Sequence, residues 1–286
     1  MHYSEVKSYY DFILPLVLES GKTLSETKEI KREQKNGTDW DLISDYDKKI
    51  EDILIAQIRK KFPTHSIIAE EESSAKDKVS DLTNEPTWFI DPIDGTENFI
   101  KKLRVTCISV AMTINKDLVF GIAYNPFMDE LFTAIKGQGA YLNGEQIRVS
   151  GEKDLKQSFF DYEISMGRVN SKLYDLYMYR LKHLMPKVLT IRAYGSAILG
   201  LCYVACGRFD AYQCDGLYPW DAAAGTLIVR EAGGYVRNSS GKEFDLMEPN
   251  FIATSTKQLS DQYMEIERIA DAERERAVQN GNEFVP

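Results

Sequence analysis

The stretch WFIDPIDGTENF, residues 88–99, carries an apolar run directly into two aspartates, Asp91 and Asp94, with a proline between them. Proline, aspartate and glycine are ordinary turn residues, so the simplest interpretation is a strand that ends in a turn. The proline also restricts the residue before it to an extended conformation, and the turn can then point both carboxylates at one metal ion. If a helix starts at Gly95-Thr96, its first N–H groups provide a seat for phosphate.

The composition limits the classes of function. With 286 residues, 43% hydrophobic and 28% charged, the chain is typical of a soluble globular protein. The net charge of −9 argues against a nucleic-acid partner but leaves room for a small anionic substrate, because a bound cation inverts the local field. No apolar run approaches the roughly 20 residues of a membrane span. The N-terminus lacks signal-peptide features, and four cysteines without a Cys-x-x-Cys pair indicate a reducing, cytoplasmic location.

The hydrophobic pattern predicts an α/β fold in two halves. One or two helices are expected over residues 2–34, and another over about 44–61. Short apolar strands separated by turns follow the motif, and from about residue 155 strands alternate with helices, which favours helices packed over a sheet. We therefore expect an N-terminal half, residues 1–153, that holds the metal motif, and a C-terminal half, residues 154–286, that completes a shared cleft.

Two local patterns near the N-terminus have simple explanations. Gly21-Lys22-Thr23 looks like the end of a phosphate-binding loop, but no glycine stands five residues earlier and no strand precedes it. It is predicted to be an exposed break in a helix. The turn-rich stretch QKNGTDW, residues 34–40, is predicted to be an exposed loop.

Acidic residues end two predicted strands and begin one predicted helix. Glu70, Glu71 and Glu72 follow SIIA, the motif supplies two aspartates, and Asp221 precedes three alanines. Taken separately, a glutamate run is usually a solvated loop, and an aspartate before alanines is a good helix N-cap. Taken together, carboxylates from separate elements can surround two Mg²⁺ ions about 3.5–4 Å apart, the arrangement used for phosphoryl displacement.

Three segments resemble the inositol monophosphatase family. DPIDGTENF, residues 91–99, resembles its first signature, and WDAAAGTLIVREAGG, residues 220–234, its second. HSIIAEEES, residues 65–73, is similar to the segment that carries its metal-binding glutamate. The resemblance implies a five-layered αβαβα sandwich and a homodimer. It also implies a lithium-sensitive phosphatase that uses two or three Mg²⁺ ions to hydrolyse inositol monophosphate, a small phosphorylated substrate, to inositol and phosphate.

The resemblance also implies roles for individual residues. The first metal ion would be bound by Glu70, Asp91 and the Ile93 carbonyl, and the second by Asp94 and Asp221 with Asp91 bridging. Glu70 and Thr96 would activate the attacking water, and Asp47 would relay its proton through Thr96. Substrate would contact Asp94, Gly95, Thr96, Gly195, Ser196, Ala197, Cys214 and Asp221.

The position of Cys214 departs from the family pattern. Members that prefer inositol carry a glutamate there, which binds an inositol hydroxyl, whereas a thiol is a poor hydrogen-bond partner. Two alternatives follow. The chain is a phosphatase of the same superfamily with another substrate (a sugar phosphate, a nucleotide 3′-phosphate or a bisphosphate), or it is a non-catalytic relative that binds metal.

Overall fold

The computed structural model describes residues 3–27, 29–34 and 42–280. Its helices are α1 (Tyr3–Ser25), α2 (Asp45–Lys61), α3 (Glu70–Lys76), α4 (Thr96–Ile100), α5 (Ser171–Leu184), α6 (Ala197–Ala205), α7 (Ala223–Glu231) and α8 (Lys257–Gln279). Its strands are β1 (Arg32–Gln34), β2 (Leu42–Ser44), β3 (Ser66–Ala69), β4 (Thr87–Asp94), β5 (Cys107–Ile114), β6 (Asp117–Asn125), β7 (Glu130–Ile135), β8 (Ala140–Leu142), β9 (Glu145–Ile147), β10 (Phe159–Tyr162), β11 (Thr190–Arg192), β12 (Ala211–Cys214), β13 (Tyr235–Asn238) and β14 (Phe251–Thr254). Short 3₁₀ turns lie at Leu155–Gln157, Ile164–Arg168, Met185–Lys187 and Pro219–Asp221.

The strands form two large sheets. The first has seven strands in the order β3-β4-β5-β6-β7-β8-β9, and all its pairs are antiparallel except β3 with β4. The second has five strands in the order β11-β10-β12-β14-β13, with β10 parallel to both of its neighbours. The remaining two strands, β1 and β2, form a small antiparallel pair. The short apolar strands that were predicted after the motif therefore form most of the first sheet.

Helices cover both faces of each large sheet. The alternation along β4 shows this directly, because Trp88 and Ile90 pack with α1 and α2, whereas Phe89 between them packs with α6 and α7. The opposite side of α6 and α7 packs on the five-stranded sheet, through Tyr212 among others. The far face of that sheet carries α5 and α8, where Phe160 packs with helix residues such as Tyr263. The layer order is αβαβα, so the predicted fold class is confirmed.

Two glycines set close approaches between layers. A Cβ atom on Gly121 in β6 would lie 2.8 Å from the Ala224 carbonyl oxygen, so α7 rests directly on the backbone of the larger sheet. A Cβ atom on Gly21 would lie 2.4 Å from the Tyr124 ring. The prediction of an exposed helix break at Gly21 is therefore wrong. The glycine is buried, and α1 runs unbroken through it to Ser25 because the glycine makes room for packing against the sheet.

The predicted loop at residues 34–40 lies outside the described residues, apart from Gln34 at the end of β1. Among the described residues, no helix combines the length and the apolar character needed to span a bilayer.

Candidate active site

A β-bulge brings the two motif aspartates to the same side of β4. Asp91 pairs with Ser109 of β5, and Asp94 pairs with Cys107, so three steps along β4 match two steps along β5. In a regular strand, residues three apart point to opposite faces. The extra residue at a bulge changes that direction and allows both carboxylates to face the same region. Asp91 is fixed further, because one of its oxygens accepts the Ile93 N–H at 3.0 Å.

The turn after β4 requires a glycine. Gly95 has a φ of +80°, in the left-handed region, and a Cβ atom there would lie 2.9 Å from the Gly195 carbonyl oxygen. Helix α4 starts at the next residue, so the condition for a phosphate seat at Gly95-Thr96 is met. Gly95 and Gly195, which are 100 positions apart in the sequence, therefore meet at the site.

Thr96 contacts a buried carboxylate. Its hydroxyl lies 3.1 Å from Asp47 Oδ1 and 2.9 Å from the Ile93 carbonyl oxygen. A hydroxyl has one proton and can donate to only one of these at a time. The other Asp47 oxygen accepts from the Ser44 N–H at 2.8 Å and the Ser44 hydroxyl at 2.5 Å. This is a capping box at the start of α2, and it holds Asp47 in place beside Thr96.

Asp94 joins β4 to the start of α6. Its Oδ1 accepts the Ala197 N–H at 3.0 Å, and its Oδ2 accepts the Ile198 N–H at 2.9 Å and the Ser196 hydroxyl at 2.5 Å. Burial raises the pKa of Asp94 to about 6, although these hydrogen bonds act in the opposite direction. Two residues predicted to bind substrate, Ser196 and Ala197, thus contact a predicted metal ligand.

Asp221 does not occupy the N-cap position of α7. It ends the 3₁₀ turn Pro219–Asp221, and the N-cap of α7 is Ala222, which has no capping side chain. One Asp221 oxygen instead accepts the Tyr218 N–H at 2.7 Å. The interpretation of Asp221 as an ordinary N-cap is therefore wrong.

Glu70 begins a helix and does not lie in a solvated loop, so that interpretation of the glutamate run is wrong as well. The N-cap position of α3, Ala69, has no side chain that can accept a hydrogen bond. Glu51 of α2 supplies the acceptor, because its two oxygens each accept an N–H, from Glu71 and Glu72, at 2.7 Å.

Four carboxylates influence one another here. The pKa of Asp91 is raised well above its ordinary value, first by burial and then by the charges of Glu70, Asp94 and Asp221. Among the described residues, no three acidic, histidine or cysteine side chains already converge as metal ligands. The donor set nevertheless fits a hard divalent cation, which would offset the mutual repulsion.

A cavity of about 410 Å³ opens beside this cluster. The sequence-predicted site residues on its surface are Glu70, Asp94, Gly195, Ser196, Ala197, Cys214 and Asp221. The others, which are not part of the cavity surface, are Asp47, Asp91, Ile93, Gly95 and Thr96.

Sequence reasoning missed three residues that shape the site. Ser44 had a readable signal, because Ser-x-x-Asp before a helix is close to the capping-box pattern. Glu51 and Glu163 act across tertiary contacts, and nothing local in the sequence marks them. Glu163 lines the cavity and accepts the Gly195 N–H at 2.7 Å.

Known proteins are similar to this chain in sequence and in fold. The chain matches the model of the inositol monophosphatase family over residues 6–272. Inositol monophosphatase 2 of Solanum lycopersicum is 44% identical over 216 residues, 75% of this chain and 81% of that protein. The Thermotoga maritima IMPase superposes with a TM-score of 0.79 at 30% identity, covering 93% of this chain and 99% of that one. SaIMPase-II of Staphylococcus aureus, with 2′-AMP bound, gives a TM-score of 0.78 at 28% identity, covering 96% and 99%. The same protein with inositol monophosphate bound gives 0.76 at 26% identity, covering 96% and 100%.

The αβαβα fold and the acidic cavity are those of a metal-dependent phosphatase. The chain belongs to the inositol monophosphatase family, as its three segments predicted, and the prediction that it is a phosphatase is confirmed.

Proposed function

We propose that this chain is a Mg²⁺-dependent phosphomonoesterase that hydrolyses inositol monophosphate to inositol and phosphate. The observation that carries the proposal is the electrostatic proximity of Glu70, Asp94 and Asp221 to the buried Asp91, whose pKa is raised first by burial and then by their charges. These residues come from β4, the start of α3 and the turn before α7. Like charges brought together in this way favour a bound cation and destabilise a metal-free protein.

The proposed ligand sets follow from these positions. Glu70, Asp91 and the Ile93 carbonyl would hold one ion, and Asp94 and Asp221 would hold a second with Asp91 between them. When bound, Mg²⁺ lowers the pKa of a coordinated water and neutralises charge on the phosphate. The family is metal-dependent, and the choice of Mg²⁺ rests on the all-oxygen donor set.

The chain's own residues position the attacking water and the phosphate. Thr96 can donate its proton to Asp47 Oδ1, 3.1 Å away, which leaves the hydroxyl oxygen free to accept a hydrogen bond from the water. Glu70 would accept from the same water and fix its direction of attack. Asp47 then takes up the proton that passes through Thr96, and the N–H groups of Gly95 and Thr96 would donate to phosphate oxygens.

The substitution Asp91→Asn tests this proposal. Phosphate release from inositol 1-phosphate should fall by at least about a thousandfold, since a shared ligand of both ions is lost. Thermal unfolding of the metal-free variant should occur no lower than in the unsubstituted chain, because one repelling charge is gone, and Mg²⁺ should no longer raise the midpoint. Asp117→Asn, at an exposed position, is the matched control. Full turnover by Asp91→Asn would contradict the proposal.

A second substrate class has an observation in its favour. Cys214 lines the cavity with a thiol, and the structurally similar SaIMPase-II binds 2′-AMP as well as inositol monophosphate. A nucleotide or sugar phosphate is therefore the alternative substrate. Comparing kcat/KM for inositol 1-phosphate, adenosine 2′- and 3′-phosphates and fructose 1,6-bisphosphate decides between them, because the preferred substrate has the highest value. The non-catalytic alternative finds no support, since the relatives are named as phosphatases.

We further propose that the protein is a homodimer. Ile164, Met185 and Leu189 are exposed apolar residues that line a groove beside β11, the edge strand of the five-stranded sheet. A second copy of this chain would cover both the apolar groove and the strand edge. Light scattering should give about twice the chain mass, and Leu189→Lys should reduce it to one chain, whereas Val278→Lys, at another exposed site, should not. A monomeric unsubstituted chain would overturn the proposal.

Lithium sensitivity and a cytoplasmic location complete the proposal. The first is tested by inhibition of phosphate release with LiCl against NaCl, and the second by imaging a tagged chain.

A further inference from the structure

Six acidic side chains line the cavity: Glu70, Asp77, Asp94, Glu97, Glu163 and Asp221. Three of them belong to the proposed metal set. Glu97 is half-exposed and paired with Arg168 at 2.6 Å, and Asp77 is exposed at the end of α3. Glu163 is only 6% exposed and lies outside the metal set. A buried carboxylate that faces a cavity has lost much of its hydration, so hydrogen-bond donors must compensate for that loss.

Hydrogen bonds hold the Glu163 carboxylate in one orientation. Its Oε2 accepts the Gly195 N–H at 2.7 Å, and its Oε1 accepts the Ser165 hydroxyl. A carboxylate has about four acceptor positions on its two oxygens, so capacity remains for a donor from the cavity. Gly195 immediately precedes Ser196, which is bonded to Asp94. The carboxylate is therefore fixed relative to the proposed reaction centre.

The neighbouring polar groups cannot take this role. Cys214 is fully buried and lies next to Glu163, since burial and then the Glu163 charge raise the pKa of its thiol. Its sulfur accepts a hydrogen bond from the Tyr177 hydroxyl at 3.7 Å. Asp215 does not line the cavity, and its carboxylate is paired with Arg180 at 2.8 Å. A substrate hydroxyl near this wall therefore meets Glu163 as its charged acceptor.

We propose that Glu163 binds a hydroxyl group of the substrate and selects polyol phosphates over phosphates that lack hydroxyls. The proposal rests on the phosphatase function proposed above. It assigns substrate recognition at this wall to a residue on the turn after β10, and it explains how a thiol at position 214 is compatible with a polyol substrate. A hydroxyl bound to a buried carboxylate forms a charge-assisted hydrogen bond, which is stronger than one to a neutral group.

The substitution Glu163→Gln tests the proposal. Glutamine keeps the size of the side chain and an oxygen that can accept from Gly195, but it removes the charge. Turnover is measured at saturating Mg²⁺ with inositol 1-phosphate and with phenyl phosphate, which has no hydroxyl group on its ring. We expect KM for inositol 1-phosphate to rise about ten- to a hundredfold, and the ratio of the two kcat/KM values to fall by the same factor. Asp77→Asn, an exposed carboxylate on the same cavity, is the control and should leave the ratio unchanged.

The ratio separates recognition from a merely structural role. If Glu163 only supports the Gly195 turn, both substrates lose activity together and the ratio stays constant, which overturns the proposal, as does an unchanged variant. An unsubstituted chain that hydrolyses neither compound contradicts the proposed function instead. In that case, the role of Glu163 is tested by calorimetric titration of the unsubstituted chain and of Glu163→Gln with inositol 1-phosphate. Equal affinity of the two proteins would overturn the role of Glu163.

Discussion

Glu51 should be needed for activity far more than for stability. It is 3% exposed on α2, and its oxygens accept the N–H groups of Glu71 and Glu72 at 2.7 Å. These bonds cap α3, whose first residue is Glu70. The position of a proposed metal ligand thus depends on a carboxylate of a neighbouring helix, and we expect Glu51→Gln to displace Glu70.

Two opposing contributions nearly cancel in the stability of this variant. Glutamine keeps one acceptor oxygen but presents an NH₂ group to the second N–H, and an unsatisfied buried donor costs about 1–3 kcal/mol. Against this, burial raises the pKa of Glu51 to about 7. At about 1.4 kcal/mol per pH unit, keeping that carboxylate ionised above neutral pH costs about 3 kcal/mol, which glutamine avoids. The free energy of unfolding should therefore change by no more than about 2 kcal/mol.

Activity has no such compensation. A displacement of about 1 Å in a positioning group can cost about a hundredfold in rate, so kcat/KM should fall between ten- and a hundredfold. Phosphate release at pH 7.5 and saturating Mg²⁺ measures this fall, and urea unfolding measures stability. Glu72→Gln is the control, because its carboxylate pairs with Arg59 and Lys76 at the surface and contributes little. A Glu51→Gln variant with unchanged kcat/KM would refute the reasoning.

Three further predictions concern charge and packing. Burial raises the pKa of Glu267 to about 8, so between about pH 5 and pH 8 the folded chain keeps a proton that the unfolded chain has released. The free energy of unfolding should therefore fall over this range by up to about 1.4 kcal/mol per pH unit from this group. Urea unfolding of Glu267→Gln in EDTA should show a shallower fall with pH, and a slope equal to that of the unsubstituted chain would contradict this. Gly121→Ala should lower the free energy of unfolding by about 1–3 kcal/mol, because the added methyl group would lie 2.8 Å from the Ala224 carbonyl oxygen. An unchanged midpoint of urea unfolding would count against this prediction. Cys214→Glu should lower the midpoint of thermal unfolding, because it places a second carboxylate beside Glu163. In the double variant with Glu163→Gln, part of this loss of stability should be recovered. If the losses of the two single variants simply add in the double variant, the prediction is contradicted.

The sequence carried most of the architecture because the fold depends on local pattern. The strands β4 to β7 of the larger sheet have 6 to 9 residues, are largely buried and are separated by turn residues, so their period and their limits are both visible. The buried run of β4 and the turn after it are likewise local properties of residues 88–99. That Asp91 and Asp94 lie on the same side of β4 could not be predicted from this stretch alone. The β-bulge between them depends on the register of β4 against β5, which neither strand encodes by itself.

Candidate site residues could be named where single residues match signatures, but not where contacts join distant segments. The capping of α6 by Asp94, and of α3 by Glu51, links positions that are far apart in the sequence. Gly21 was assigned to an exposed break because glycine is a poor helix former, whereas its contact with Tyr124 arises only when α1 packs on the sheet. Local propensity cannot supply that information.

Two of the proposed metal ligands also accept hydrogen bonds from the protein itself. Asp94 receives three donors at the start of α6, and Asp221 receives the N–H of Tyr218. A cation bound at the proposed site would compete with these donors for the carboxylate oxygens, so part of its binding free energy would offset the loss of those hydrogen bonds. The cation would also relieve the repulsion that, after burial, raises the pKa of Asp91. Because Asp94 lies in β4 and accepts hydrogen bonds from Ser196 and the first residues of α6, a change in its coordination would act on this wall of the cavity. Metal binding at the proposed site should therefore affect the residues that are proposed to contact substrate.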